Sequence, residues 1–174
     1  MTHTYLDTCC LIRRAELSGP APTVRTQHAG PPVVALLRQA TASIATSQIG
    51  LAEFHDVVTT MWRNVNPPDD VYNETWCDNA IAETLRDVEA RRLGILPLPP
   101  KVFEKAMTLV TMSTRQHGRK FRVWDAIHLI TAVAWSVDQQ TKVELWTTDG
   151  DFDGFVGVYP YFANHVKIVH LDKI

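Results

Sequence analysis

The chain has 174 residues, enough to bury a sizeable core, and one domain is expected. Its 45% hydrophobic and 21% charged residues are those of an ordinary globular protein, with no apolar run long enough to span a bilayer. The net charge of −2 excludes the global basic field of a tight duplex binder, although it leaves room for a locally basic groove.

The opening MTHTYLDTCC has neither the basic region nor the apolar stretch of a signal peptide, so a cytoplasmic location is expected. Residues 4–6, TYL, read as a short buried strand with Asp7 at its end. Cys9, Cys10 and Cys77 fit a reducing compartment, and their spacing forms neither a metal site nor a disulfide framework. Residues 15–32 carry Gly19, Pro20, Pro22, Gly30, Pro31 and Pro32 and read as an irregular insertion loop with its own Arg25. A short helix over 33–40 and a second buried strand over 42–46 follow. Ser47 or Thr46 is placed to cap a helix from Ile49 to Trp62, whose Phe54, Val57, Val58 and Met61 recur at helical spacing. Asn66-Pro67-Pro68 stops it. A long acidic helix is expected over 68–92, then an extended connector, ILPLPP, and a helix over 100–116 closed by Gly118. Another helix runs from Trp124 to Val137, before strands at 143–147 and 166–171. Strands alternating with helices imply an α/β fold with a mainly parallel sheet of four to five strands, covered on both faces. The five tryptophans lie mostly in apolar periodic stretches and read as core or interface.

Sheets of this kind carry their sites outside the carboxyl ends of the strands. Asp7 follows the first strand there, and Asp149 and Asp151 follow the third. Glu53 falls in the second turn of the helix after the second strand, and Asp125 in the first turn of a later helix. Both lie in otherwise apolar stretches, IGLAEF and VWDAIHLI. A lone buried carboxylate is costly and tends to protonate, and several together raise one another's pKa. A divalent cation relieves both problems, and an all-oxygen ligand set suits Mg2+ or Mn2+.

Four pieces of the chain together resemble the PIN-domain nucleases, in particular the VapC-type toxins of toxin–antitoxin pairs. YLDTCCLI supplies Asp7 with the hydroxyl residue Thr8, and TSQIGLAEF supplies Glu53. VWDAIHLITAVA supplies Asp125, and LWTTDGDFDGF supplies Thr147 or Thr148 followed by Asp149 and Asp151. The four occur in family order. The resemblance implies a three-layer α/β/α fold, metal-dependent cleavage of RNA with metal-activated water, a homodimer, and an antitoxin that occludes the site. In this reading Asp7, Glu53, Asp125 and Asp149 are catalytic, and Asp7, Asp125, Asp149 and Asp151 hold one or two ions. Thr8 and Thr148 orient carboxylates or waters. Cys9 departs from the small polar residue common at its position in that family. Alternatives remain: a nuclease of RNA processing or of DNA without an antitoxin, or a non-catalytic nucleic-acid-binding module.

TTDGDFDGF also matches the first positions of a calcium loop, but the loop's twelfth position is Pro160 in place of glutamate, and a strand precedes it. Asp153 beside Gly154 reads as turn chemistry. A phosphatase with paired aspartates after the first strand is excluded by Cys9. The run RQHGRKFR, with Arg115, Arg119, Lys120 and Arg122, is either an RNA-backbone contact or a solvated helix end. His128, one helical turn after Asp125, is either an auxiliary base or a packing residue.

Overall fold

The computed structural model describes residues 2–19, 22–39, 43–63, 72–117 and 122–172. Strand β1 (His3–Leu6) ends at Asp7, whose extended backbone and side chain cap helix α1 (Thr8–Leu17). The carboxylate accepts the Thr8 N–H at 2.7 Å, which satisfies one of the donors a helix start leaves open. Helix α2 (Val24–Leu37) begins at Thr23, whose hydroxyl accepts the Thr26 N–H at 3.1 Å.

The segment 15–32 is therefore mostly helical, contrary to the expectation of an irregular loop, and α2 takes the place of the helix expected over 33–40. Pro31 and Pro32 sit inside α2. An interior proline costs about 3 kcal/mol in lost helix bonds and crowding. Packing overrides that cost, since Ala29, Val33, Leu36 and Leu37 are all buried. Gly30 marks the closest approach of α2 to α1. A Cβ there would lie 2.4 Å from Leu17 Cγ and 2.9 Å from the Arg13 carbonyl oxygen, and backbone cannot move aside cheaply.

Strand β2 (Ser43–Ser47) runs into helix α3 (Gln48–Arg63), where the Ser47 hydroxyl accepts the Gly50 N–H at 2.9 Å. Asn73 caps helix α4 (Glu74–Glu89) by accepting the Trp76 N–H. The expected stop at 66–68, the expected start of this helix at 68 and the closing Gly118 lie outside the described residues. Within the stretch expected as a connector, Gly94–Leu96 forms strand β3 against β2. Helices α5 (Val102–His117) and α6 (Val123–Gln139) precede strand β4 (Val143–Thr147). Helices α7 (Asp151–Val158) and α8 (Pro160–His165) lead into strand β5 (Val166–His170). Asp153 thus lies in the first turn of α7 instead of a turn, and its carboxylate meets His170 Nε2 at 2.8 Å.

The five strands form one parallel sheet in the order β3-β2-β1-β4-β5. Period-two alternation divides their side chains between two cores. Tyr5, Ala45, Val143, Leu145 and Val166 face α5, α6 and α7, where Phe152 and Phe155 are fully buried. Leu6 and Ile44 face the core built by α1, α2, α3 and α4. Each fully buried Phe or Leu contributes about 1.5–3 kcal/mol by leaving water. Both faces are covered, as a parallel sheet requires, and the architecture is the expected three-layer α/β/α. Trp76 and Trp135 are buried, whereas Trp124 is 46% exposed. Among the described residues no helix is long and apolar enough to cross a membrane.

Candidate metal centre

The strand order reverses direction between β1 and β4, and a crevice opens at their carboxyl ends. Asp7 leaves β1 at one side of it and Asp149 leaves β4 at the other. Helix α6 runs back toward the start of β4, so its first turn, with Asp125, lies over the same edge. Helix α3 starts directly after β2 and brings Glu53 there too.

Asp7 is buried and held on three sides. Its Oδ1 accepts the Thr8 N–H, and its Oδ2 accepts the Thr147 hydroxyl at 2.9 Å and the Cys9 thiol at 3.0 Å. Thr147 Oγ1 in turn accepts the Asp149 N–H at 2.9 Å, and Asp149 Oδ1 accepts the Asp151 N–H at 2.9 Å. A chain of hydrogen bonds thus runs from the end of β1 through the end of β4 to the start of α7. Asp125 is 9% exposed, and its Oδ2 accepts the Arg122 N–H at 3.3 Å. Burial, then the carboxylates of Asp7 and Asp149, push its pKa up to about 7.

Asp125, Asp149 and Asp151 each place a carboxylate oxygen within 4.8 Å of the other two. Unit charges at such spacing repel by roughly 3–4 kcal/mol per pair in a partly buried setting. The donors are all hard oxygens, and Asp125 holds its proton unusually well because it is buried beside other carboxylates. Both properties fit a Mg2+ or Mn2+ ion.

Glu53 is arranged differently. Its Oε2 accepts the Thr8 hydroxyl at 2.6 Å and faces His128 Nε2 at 3.2 Å. Burial alone would raise its pKa, but the bonds from His128 and Thr8 and the nearby Arg122 charge bring it below the usual value. His128 is 1% exposed, with Nδ1 2.6 Å from the Tyr5 hydroxyl and Nε2 3.5 Å from Asp7 Oδ1. Burial disfavours its charged form, yet the bond to Glu53 and the charges of Asp7, Glu53 and Asp125 outweigh that and raise its pKa. His128 is thus a core residue, as one of its two sequence readings has it, and it also touches the acids.

Solved structures of low sequence identity share this architecture. FitAcB from Neisseria gonorrhoeae is 20% identical, with a TM-score of 0.56, over 98% of this chain and 99% of that one. VapC20 of Mycobacterium tuberculosis, a Sarcin-Ricin loop cleaving toxin, is 16% identical with a TM-score of 0.56, over 86% and 92% of the two chains. VapBC2 from Rickettsia felis, bound to a DNA fragment from their promoter, is 15% identical with a TM-score of 0.55, over 96% and 98%. The fold is that of a PIN domain. No protein-family model matches the chain, and no curated protein matches it in sequence.

Within this PIN fold Asp7, Glu53, Asp125 and Asp149 reach one edge, and among the described residues Asp125 and Asp149 close with Asp151, without Asp7, into a group of the size that holds an ion. Thr8 contacts Glu53, as an orienting hydroxyl would. Of the two threonines after β4, Thr147 makes the orienting contacts with Asp7 and Asp149. Thr148 contributes backbone instead: its N–H reaches Cys9 Sγ at 3.1 Å and its carbonyl accepts from Arg25. Arg122 is exposed at the start of α6, while Arg119, Lys120 and the side chain of Arg115 lie outside the described residues. Sequence reasoning left out Tyr5 and the bond from Cys9 to Asp7. Only the two-residue separation of Cys9 from Asp7, across a helix start, hinted at the second.

Proposed function

We propose that the chain is a metal-dependent endoribonuclease, the toxin of a VapBC-type toxin–antitoxin pair. The observation that carries this reading is the Asp125–Asp149–Asp151 group beside Asp7, at the crevice between β1 and β4 of a PIN fold. Asp125, Asp149 and Asp151, with Asp7 behind them, would hold one or two Mg2+ or Mn2+ ions. A bound ion supplies positive charge against the phosphate oxygens and lowers the pKa of water.

The chain's own residues do the rest. The bonds from Thr8, Cys9 and Thr147 fix the Asp7 carboxylate, so it spends no rotamer freedom when the site fills. The Asp151 N–H fixes Asp149 in the same way. Asp125 is the proton-retaining member of the group. Arg122 at the rim, with Arg115, Arg119 and Lys120 before it, would meet the RNA backbone by charge alone. A small antitoxin and a second copy of the chain are the expected protein partners.

The test is cleavage of a mixed RNA pool by the purified protein with Mg2+, with Mn2+ and with chelator, beside Asp125→Asn and Asp149→Asn. Cleavage that needs the metal and falls at least about a thousandfold in both variants supports the reading. Wild-type protein that binds Mn2+ yet cleaves no RNA overturns it in favour of a binding module.

A further inference from the structure

We propose that His128 is a positioning residue that keeps Glu53 bound to Thr8 and out of the metal's ligand set. This rests on the metal-dependent nuclease reading. Nε2 of His128 lies 3.2 Å from Thr8 Oγ1, 3.2 Å from Glu53 Oε2 and 3.5 Å from Asp7 Oδ1. The Thr8 hydroxyl spends its own hydrogen on Glu53, at 2.6 Å, so its oxygen faces the ring as an acceptor. All three neighbours of Nε2 are therefore acceptors, and Nε2 carries a hydrogen whatever the ring's charge. In the neutral ring the Tyr5 hydroxyl then donates to Nδ1, and it fixes the ring from the core side at 2.6 Å.

The fold has made room for this ring. A Cβ on Gly50 would stand 2.4 Å from Thr46 Oγ1 and 3.0 Å from His128 Cε1, so a side chain there would clash with Thr46 and crowd the imidazole. Glu53 follows one turn later on that helix. With 1% of its surface exposed, His128 touches neither substrate nor solvent. Its effect passes through Glu53, whose Oε2 takes both the Thr8 and the His128 bonds. A glutamate released from those bonds has a long, flexible stem and three aspartates' worth of unbalanced charge to share an ion with. His128 prevents that second arrangement.

The deciding experiment is a double-mutant cycle on Mn2+ affinity, by calorimetry, with Glu53→Gln and His128→Leu, and RNA cleavage measured on the same samples. In the His128→Leu background Glu53→Gln should weaken Mn2+ binding at least about tenfold more than it does alone, because the freed glutamate has become a ligand. His128→Leu should lower kcat about 10–100-fold with KM for RNA nearly unchanged, and His128→Gln, which keeps an N–H near the Nε2 position, should recover most of it. Additive Mn2+ effects, or equal losses in the Leu and Gln variants, would mean that His128 only fills space, and the proposal falls. Tyr5→Phe, which removes the far hydrogen bond to Nδ1 and the Tyr5–Ser47 bond but leaves Nε2 untouched, should give the same coupling at about threefold if the Leu variant does not fold. Additivity there overturns the proposal as well. Mn2+ binding without RNA cleavage sinks the nuclease reading alone, since the Mn2+ cycle still decides the role of His128.

Discussion

Two groups of buried charge stand at opposite edges of the sheet and are built on opposite terms. Before β3, Arg14 of α1 pairs with Asp87 of α4 at 2.5 Å and with Glu83 at 3.3 Å, while Arg92 reaches the other oxygen of Asp87 at 2.6 Å. Arg14 and Asp87 are 7% and 3% exposed. That network contains its own counter-charges and serves to fasten α1 to α4. At the carboxyl edge, Asp125, Asp149 and Asp151 face one another without a cation among them, and Asp7 stands behind. Hydrogen bonds hold the carboxylates in place, but among the described residues no Arg or Lys forms an ion pair with the group. A structural charge is paired where it is buried. A charge left unpaired at a crevice implies a partner from outside the chain.

The largest expected break in this contrast is Asp87→Ala. Removing one side of a buried pair strands Arg14 and should lower unfolding stability by about 3–5 kcal/mol in urea titration. Replacing both partners, Asp87→Leu with Arg14→Met, should cost much less. Asp125→Asn should do the reverse in the metal-free protein. The folded pKa of Asp125 is about 7, against 3.8 when unperturbed, so between those values the folded state binds more protons than the unfolded chain. Stability from this group therefore falls as pH rises from about 4 to about 7. The variant should be more stable than wild type by about 1–3 kcal/mol at pH 8, by less at pH 5, and indistinguishable from it only below about pH 4, in thermal melts. The ion must also displace that proton. Mn2+ affinity should rise about tenfold per pH unit up to about pH 7 and level off above it, and the slope should flatten in Asp125→Asn. A pH-independent affinity would erase the distinction between the two edges. The smallest effect belongs to the exposed pair Lys167–Glu144 at 2.8 Å, where Lys167→Ala should change stability by less than about 0.5 kcal/mol.

Much of this architecture is legible in the sequence. The acids stand just beyond short β-branched or aromatic runs, and the rule for parallel sheets places such residues at the site. Thr147 was legible in principle: it shares the parity of Val143 and Leu145, and all three are buried, whereas Thr148 has the opposite parity. Other features were not. Pro31 and Pro32 read as helix breakers, and only the close packing of Gly30 on α1 explains a helix there. Strand β3 has three residues and owes its conformation to β2 alongside it. In α7 the aspartates and glycine masked a signal that was present, Phe152 and Phe155 one helical turn apart and both fully buried. The contacts of His128 depend on strands and helices far apart in the chain, and local spacing places only its helix face.

The strand order has a consequence for when the acid edge comes together during synthesis. β1 is the first strand made and the central one, and its second neighbour, β4, begins at residue 143. Asp7 waits for Asp125, Asp149 and Asp151 until the chain has been made past residue 151. At elongation rates of about 5–20 residues per second, roughly seven seconds or more separate the first acid from the last. A nascent chain paused before β4 carries at most two of the four acids, Asp7 and Asp125. The order of the strands thus keeps the acid edge unassembled until β4 and the start of α7 have been made.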